Sequence, residues 1–343
     1  VQTDDPARAV ADFLAVAATE PAALVVEGEA GIGKTTLCTR LTEQAAEAGF
    51  RVLTARAAAA EARLTFAVIA DLLDAVEPPW LDRLPPVQRI AVDRVLQRAD
   101  TGPATDERVT AAAFRSVLEV LADAAPVLVA VDDAQWLDVS SRTVLSYAAR
   151  RLRGRVGVVL TARTDGPGHP PPVSWLQLTR DDAVRRLPLR PMDPRAMHAM
   201  FAGRLGRPLR RPAIAHIHRI SGGNPFYAWE LAQAMDDQRP GAQPDLPESL
   251  DALVARRLRG LDGAAAALLL VAATASAPTV DLLAEASGAT PARVTELLRT
   301  PSGTAWWRST DRECASPIRY WPTAFTPGPA PNGAVPRTGG WPS

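Results

Sequence analysis

The sequence predicts an α/β fold built on a doubly wound parallel sheet, and three observations carry that prediction. Short apolar runs alternate with amphipathic stretches through the first half of the chain, the pattern of a parallel sheet with helices on both faces. The first run, Leu24-Val25-Val26-Glu27, leads directly into Gly28-Glu29-Ala30-Gly31-Ile32-Gly33-Lys34-Thr35-Thr36. That segment fits the phosphate-loop pattern G-x-x-x-x-G-K-[ST], set between a strand and a helix. A later run, Val127-Leu128-Val129-Ala130-Val131, ends in Asp132-Asp133, and strands of such sheets deliver their last residues to the edge where nucleotides bind.

Each element follows from local pattern. Residues 4–18 read as an amphipathic helix ahead of the first strand. After the loop, residues 37–48 read as a helix stopped by Gly49, and residues 51–55 as a second strand. Residues 66–76 place Val68, Ile69, Leu72 and Leu73 at helical spacing. Four prolines break residues 77–86, which read as a loop or a short irregular packing element around Trp80. A loop over 100–105 precedes an amphipathic helix over 106–125. Residues 156–163 form a further buried strand that ends in Thr161-Ala162-Arg163. The proline- and glycine-rich stretch 165–172 then closes the first domain. Beyond it strands become sparse. Leu187-Pro188-Leu189 is a short extended piece, residues 194–205, 212–220 and 226–235 are helices, and Ser221-Gly222-Gly223-Asn224-Pro225-Phe226 is a sharp turn.

The loop chemistry assigns roles. Lys34 is the only lysine among 38 basic residues. A compact ammonium reaches the β- and γ-phosphates as a point charge, which a fork-shaped guanidinium does less well. Glycines let the backbone amides of residues 28–36 turn toward phosphate oxygens. Thr35 is placed to ligate Mg²⁺, Asp132 to hold the same ion directly or through water, and Asp133 to polarise the attacking water. Thr161 or Arg163, at the tip of a neighbouring strand, is positioned to sense the γ-phosphate; a plain strand end with a solvated arginine is the alternative. The expected ligands are therefore ATP or ADP with Mg²⁺, and the expected fold class is a P-loop NTPase.

Composition narrows the function further. A net charge of zero disfavours a nucleic-acid-binding surface on the chain as a whole. The five arginines of residues 204–219 read as a solvated helical face. Cys38 and Cys314 offer no disulfide framework, and the four histidines show no metal-ligand spacing. Residues 263–277, the longest apolar stretch, are too short and alanine-rich to cross a bilayer, and no signal peptide is present. The expectation is a cytoplasmic protein with no membrane partner. Arginine-for-lysine usage with abundant alanine suggests a GC-rich, bacterial genome. Val1 in place of methionine suggests a fragment or an alternative initiation codon.

Four stretches together resemble a known family: residues 26–36; Val131-Asp132-Asp133-Ala134-Gln135-Trp136-Leu137-Asp138; residues 221–226; and Leu246-Pro247 with Leu253-Val254-Ala255-Arg256-Arg257-Leu258. The chain resembles the N-terminal ATPase region of large LuxR-type bacterial transcriptional regulators, signal-transduction ATPases of the AAA+-like P-loop group. The resemblance spans roughly residues 20–300 and implies three segments: a P-loop ATPase domain over 1–170, a helical lid over 171–245 and an incomplete winged-helix module over 246–300. Residues 301–343 fall outside it as an aberrant tail. It also implies that Asn224 and Pro225 lie near the adenine side of the nucleotide. In the family, ATP binding and slow hydrolysis switch a closed resting form to an open, self-associating one. DNA is contacted only through a C-terminal helix-turn-helix, which follows an inducer-binding repeat region. Neither segment is visible here, and the family's N-terminal Val-Gly-Arg-like segment is also missing.

The tail breaks with everything before it. Four of the eight tryptophans fall after residue 301 among prolines and glycines, without periodicity, although disordered tails are poor in aromatics. A frameshift accounts for this. With GC-rich codons and two nucleotides dropped, residues 312–322 read Pro-Arg-Val-Arg-Phe-Thr-His-Pro-Leu-Leu-Ala, which resembles the wing of the family's winged helix. Residues 301–343 are then expected to lack a stable fold. Two rival readings stand beside the signalling switch. One is an AAA+ DNA-binding ATPase resembling origin-recognition initiators, disfavoured by the balanced charge of residues 246–300. The other is an inactive fragment that binds nucleotide at best.

Overall fold

The computed structural model describes residues 5–98, 106–164, 173–205, 209–236, 264, 268, 280–297, 308–310 and 313–315. The chain divides into two compact units, Val1–Leu250 and Asp251–Ser343.

In the first unit, five strands form one parallel sheet in the order β2-β3-β4-β1-β5. They are β1 (Ala22–Gly28), β2 (Arg51–Arg56), β3 (Val127–Asp132), β4 (Val156–Arg163) and β5 (Val184–Pro188). Both faces are buried, so the strands read as unbroken apolar runs. Leu24 and Val26 face one layer with α1 (Pro6–Ala17) and α2 (Lys34–Glu47). Ala23 and Val25 face the other, with α3 (Ala67–Asp74), α5 (Pro86–Val95), α6 (Glu107–Ala124) and α7 (Val139–Ala149). The first layer centres on Phe13 and Leu41, the second on Phe114, Leu72 and Leu121, all essentially inaccessible.

Two segments differ from the sequence reading. Residues 77–86 hold a one-turn helix, α4 (Pro78–Leu81), and α5 begins at Pro86, a helix the reading passed over. The prolines are not breakers here, because they occupy the first positions of α4 and α5, where a missing N–H costs nothing. The guanidinium groups of Arg51 and Arg83 lie over the Trp80 ring, 4.5 and 5.6 Å from its centroid. The second difference is β5. The short extended piece expected at Leu187-Pro188-Leu189 is a strand in parallel register with β1, Val26 opposite Leu187. The sheet thus continues past residue 170. Pro188 is tolerated because it is the last residue of an edge strand.

Three helices follow: α8 (Pro194–Leu205), α9 (Arg211–Ser221) and α10 (Pro225–Asp236). They pack through Met197, Phe201, Ile214, Ile217 and Leu231, all buried. The arginine-bearing helix α9 buries Ile214 and Ile217 on one face, as a solvated helical face requires of its opposite side.

In the second unit, α11 (Val280–Ser287) and α12 (Pro291–Leu297) form a helix pair that buries Leu283 and Val294. Arg308–Thr310 pairs antiparallel with Glu313–Ala315. The rest of the expected winged-helix module and tail lies outside the described residues. Among the described residues no helix is long and apolar enough to cross a membrane.

Candidate functional site

The phosphate loop joins the carboxyl end of β1 to the first turn of α2. Gly33 is the N-cap of α2, at φ +105°, and no side chain caps the helix. No heavy atom stands within 4 Å of where a Gly33 Cβ would be. The first-turn N–H groups of α2 thus have no side-chain cap, and a helix start of this kind fits an anion. Lys34 is buried, and its Nζ donates to the carbonyls of Gly28 and Glu29, both at 2.8 Å. Burial lowers its pKa from 10.5 to about 8; Asp133, the next largest influence, opposes the fall. The ammonium is thus held over the loop and is short of solvation, the condition under which a phosphate is a favourable partner.

Below about pH 8 the folded chain carries the Lys34 charge at a cost, and the cost is relieved as pH rises from about 8 toward 10.5. Phosphates favour the charged form, so nucleotide binding takes up a proton above pH 8. ADP affinity is expected to fall by up to about tenfold per pH unit above that point. Calorimetric titrations in two buffers of different ionisation enthalpy, from pH 7 to 9.5, measure both the affinity and the proton uptake.

The acidic side of the site is a closed hydrogen-bond chain. The Thr35 hydroxyl donates to Asp132 Oδ2 at 2.8 Å. The Thr161 hydroxyl donates to Asp132 Oδ1 and accepts from the Asp133 N–H at 2.9 Å. Thr161 is fully buried, so it supports Asp132 and stands behind the carboxylate. Of the two residues considered for γ-phosphate sensing, only Arg163 keeps an accessible side chain, with Nε 4.0 Å from Asp133 Oδ1. The sheet brings it there, because Gly28 and Arg163 are register partners at the ends of β1 and β4.

Sequence reasoning missed two partners of Asp133. Arg56 ends β2, and its register partner is Asp132. Its guanidinium lies 3.3 Å from Asp133 Oδ2 and 3.8 Å from Asp132 Oδ2. Gln135 donates to Asp133 Oδ1 at 2.9 Å and accepts from the Arg163 N–H at 3.1 Å. Asp133 itself sits in the left-handed region at φ 57°, which Asp tolerates better than most residues. The only sequence signal for Arg56 was a basic residue closing an apolar strand. Asp138, quoted above only within the family resemblance, caps α7 by accepting from the Ser141 N–H at 2.8 Å and pins the Phe66 N–H at 3.0 Å.

Asn224 and Phe226, which flank Pro225 at the start of α10, come to the same loop. Asn224 is buried and donates from Nδ2 to the Ala30 carbonyl at 2.9 Å, while the Phe226 N–H donates to the Gly31 carbonyl at 3.3 Å. Gly31, at φ +77°, leaves no room for a side chain: a Cβ would stand 2.9 Å from Phe226 Cβ and 3.0 Å from Asn224 Oδ1. Gly31→Val is expected to cost about 2–4 kcal/mol through backbone strain and overlap. A thermal melt of the nucleotide-free chain reads this as a fall of several degrees.

Residues 28–36, 132, 133, 163 and 224 therefore converge on one edge of the sheet. Residues 5–161 match the AAA ATPase domain. The fold is accordingly an AAA-type P-loop NTPase fold. Among solved structures, the chain is similar to a signal transduction ATPase with numerous domains, carrying a tetratricopeptide repeat sensor, from Pyrococcus horikoshii. The TM-score is 0.57 at 12% identity, over 92% of this chain and 42% of that one. This chain thus spans less than half of that protein's length. It is also similar to the Aeropyrum pernix ORC1 protein solved with DNA, at TM-score 0.44 and 15% identity, over 85% of this chain and 81% of that one. No curated protein matches the sequence.

The residues present fit a magnesium nucleotide. An uncapped helix start, a buried ammonium and a hydroxyl–carboxylate pair stand together, and both elements of the pair are hard oxygen donors suited to Mg²⁺. Among the described residues there is no cluster of His, Cys, Asp and Glu that suggests another metal. Cys38, buried behind the loop, has its thiol pushed up to about 12 by burial and the nearby Asp132 charge, so it is an inert packing group.

Proposed function

We propose that this chain is an ATP-binding, slowly hydrolysing signalling switch, the regulatory head of a LuxR-type bacterial transcriptional regulator. The observation that carries the reading is the contact between the lid turn and the phosphate loop, Asn224 to Ala30 and Phe226 to Gly31. Through it, what the loop holds is felt directly by α10. The loop amides and Lys34 bind the phosphates. Thr35 and Asp132 hold Mg²⁺, which shields the phosphate charge when bound. Asp133 orients water toward the γ-phosphate, and Arg163 reads whether that phosphate is present.

The restraint on Asp133 supports slow turnover. A carboxylate bonded to Gln135 and ion-paired with Arg56 is not free to orient a water until those partners shift. The domain plan of P-loop ATPase, lid and partial winged helix over 246–300 belongs to the same proposal, with the ATPase extended beyond 170 through β5 and the lid begun at α8, as does self-association in the ATP state.

The test is to incubate the full chain with ATP and Mg²⁺, follow phosphate release, and measure mass in solution with ATP and with ADP. Phosphate release at a low rate, with larger species in ATP only, supports the switch. A chain whose melt neither nucleotide raises is not a nucleotide switch of any kind.

A further inference from the structure

At the opposite edge of the sheet, the amino-terminal ends of the strands border a cleft of about 690 Å³. It lies roughly 20 Å from the phosphate loop, the length of a seven-residue strand such as β1. Its walls carry Arg115, Arg150, Arg151, Arg153 and Arg180 against a single lining carboxylate, Glu20. Pro21, Leu152, Leu178 and Ala183 supply an apolar floor. A volume of this size, apolar within and charged around, is that of a small-molecule site.

The arginines come from separate elements, and most of their charge is not neutralised locally. Arg180 is bonded to Glu20 and Asp182. Arg151 lies 4.0 Å over the Tyr147 ring and donates to the Tyr147 carbonyl, with no carboxylate partner among the described residues. On α6, Arg115 has a buried Nε that makes no hydrogen bond; Glu119 stands 3.5 Å from it. Arg150 and Arg153 are exposed, and no carboxylate among the described residues lies within ion-pair distance of either. The carboxyl end of α7 attracts basic residues through its carbonyl dipoles. That accounts for Arg150 and Arg151, but not for Arg115 and Arg180 converging on the same concavity from α6 and from the segment before β5.

We propose that this cleft is a second ligand site, independent of the nucleotide, for a small anion bearing two or more phosphate or carboxylate groups on a compact apolar body. Planar guanidinium forks bind both groups in bidentate fashion, and the apolar floor accepts the body.

The test uses the full chain carrying Lys34→Ala, in magnesium-free buffer, so that the phosphate loop does not compete. Calorimetric titration with inorganic pyrophosphate, and separately with citrate, is expected to show saturable one-to-one binding that weakens with added salt. The probe that binds more tightly tells whether phosphate or carboxylate is preferred. Adding Arg150→Glu with Arg153→Glu is expected to weaken the better probe by about tenfold or more. The milder pair, Arg150→Gln with Arg153→Gln, is expected to lower affinity in the same direction by less. Both residues are exposed, so the melting temperature should hold. No saturable binding of either probe, or binding that neither pair of substitutions alters, overturns the proposal.

Discussion

Lys34→Ala is expected to weaken ADP and ATP binding by about 100-fold or more, enough to erase the nucleotide-dependent rise in melting temperature. The side chain is the one ammonium in the chain, and it is buried at the mouth of a helix start that has no cap of its own. Each charge-assisted bond from such a group to a phosphate oxygen is worth about 1.5–3 kcal/mol, and none of the neighbouring arginines is free to replace it. Arg56 and Arg163 are both engaged with Asp133. The nucleotide-free fold should tolerate the change. The bonds lost to the Gly28 and Glu29 carbonyls are offset by relief of a buried charge, the same burial that lowers the pKa to about 8. Melts with and without ADP and Mg²⁺ separate the two effects. If the variant keeps the full ADP-dependent shift, the loop does not bind phosphate in the way described above.

Asp133→Asn is expected to act on turnover alone, cutting phosphate release by about 100-fold or more while leaving ADP affinity within about threefold. The amide keeps the shape and the contact with Gln135 but loses the charge that pairs with Arg56 and that is proposed to orient water. Asp132, one residue before, is held by two hydroxyls and is the carboxylate proposed for the metal, so Asp132→Asn should instead weaken the magnesium dependence of binding. The contrast between adjacent acids is the useful measurement: phosphate release and ADP affinity for each variant across a magnesium titration. Equal effects of the two variants on both readouts would remove the division of labour proposed for them.

The sheet and the phosphate loop are legible in the chain's local pattern. Alternating apolar runs and amphipathic helices are local patterns, imposed by burial of both sheet faces, and they located four of the five strands. Glycine at 31 and 33 and lysine at 34 announce a loop whose backbone geometry few other residues allow. Where local reading failed, the reasons were local as well. Prolines at 78, 79 and 86 look like breakers in a string of letters but sit at helix starts, where they cost nothing. The strand containing Pro188 was too short and too proline-marked to be read as part of the sheet.

Which side chains face the two carboxylates is set by the folded sheet. Arg56 meets Asp132 and Asp133 because β2 and β3 are neighbours in register, and Arg163 stands beside the phosphate loop because β4 lies next to β1. Strand order is a property of the folded sheet, and no spacing along the chain encodes it. The same holds for Asn224, which lies 194 residues from the Ala30 carbonyl it bonds, and for the arginine cleft, assembled from α6, the end of α7 and the segments before β1, β4 and β5. Chemistry that depends on one continuous loop is written in the sequence; chemistry that depends on neighbours across the sheet is set by packing, which brings distant residues together only once both faces are buried.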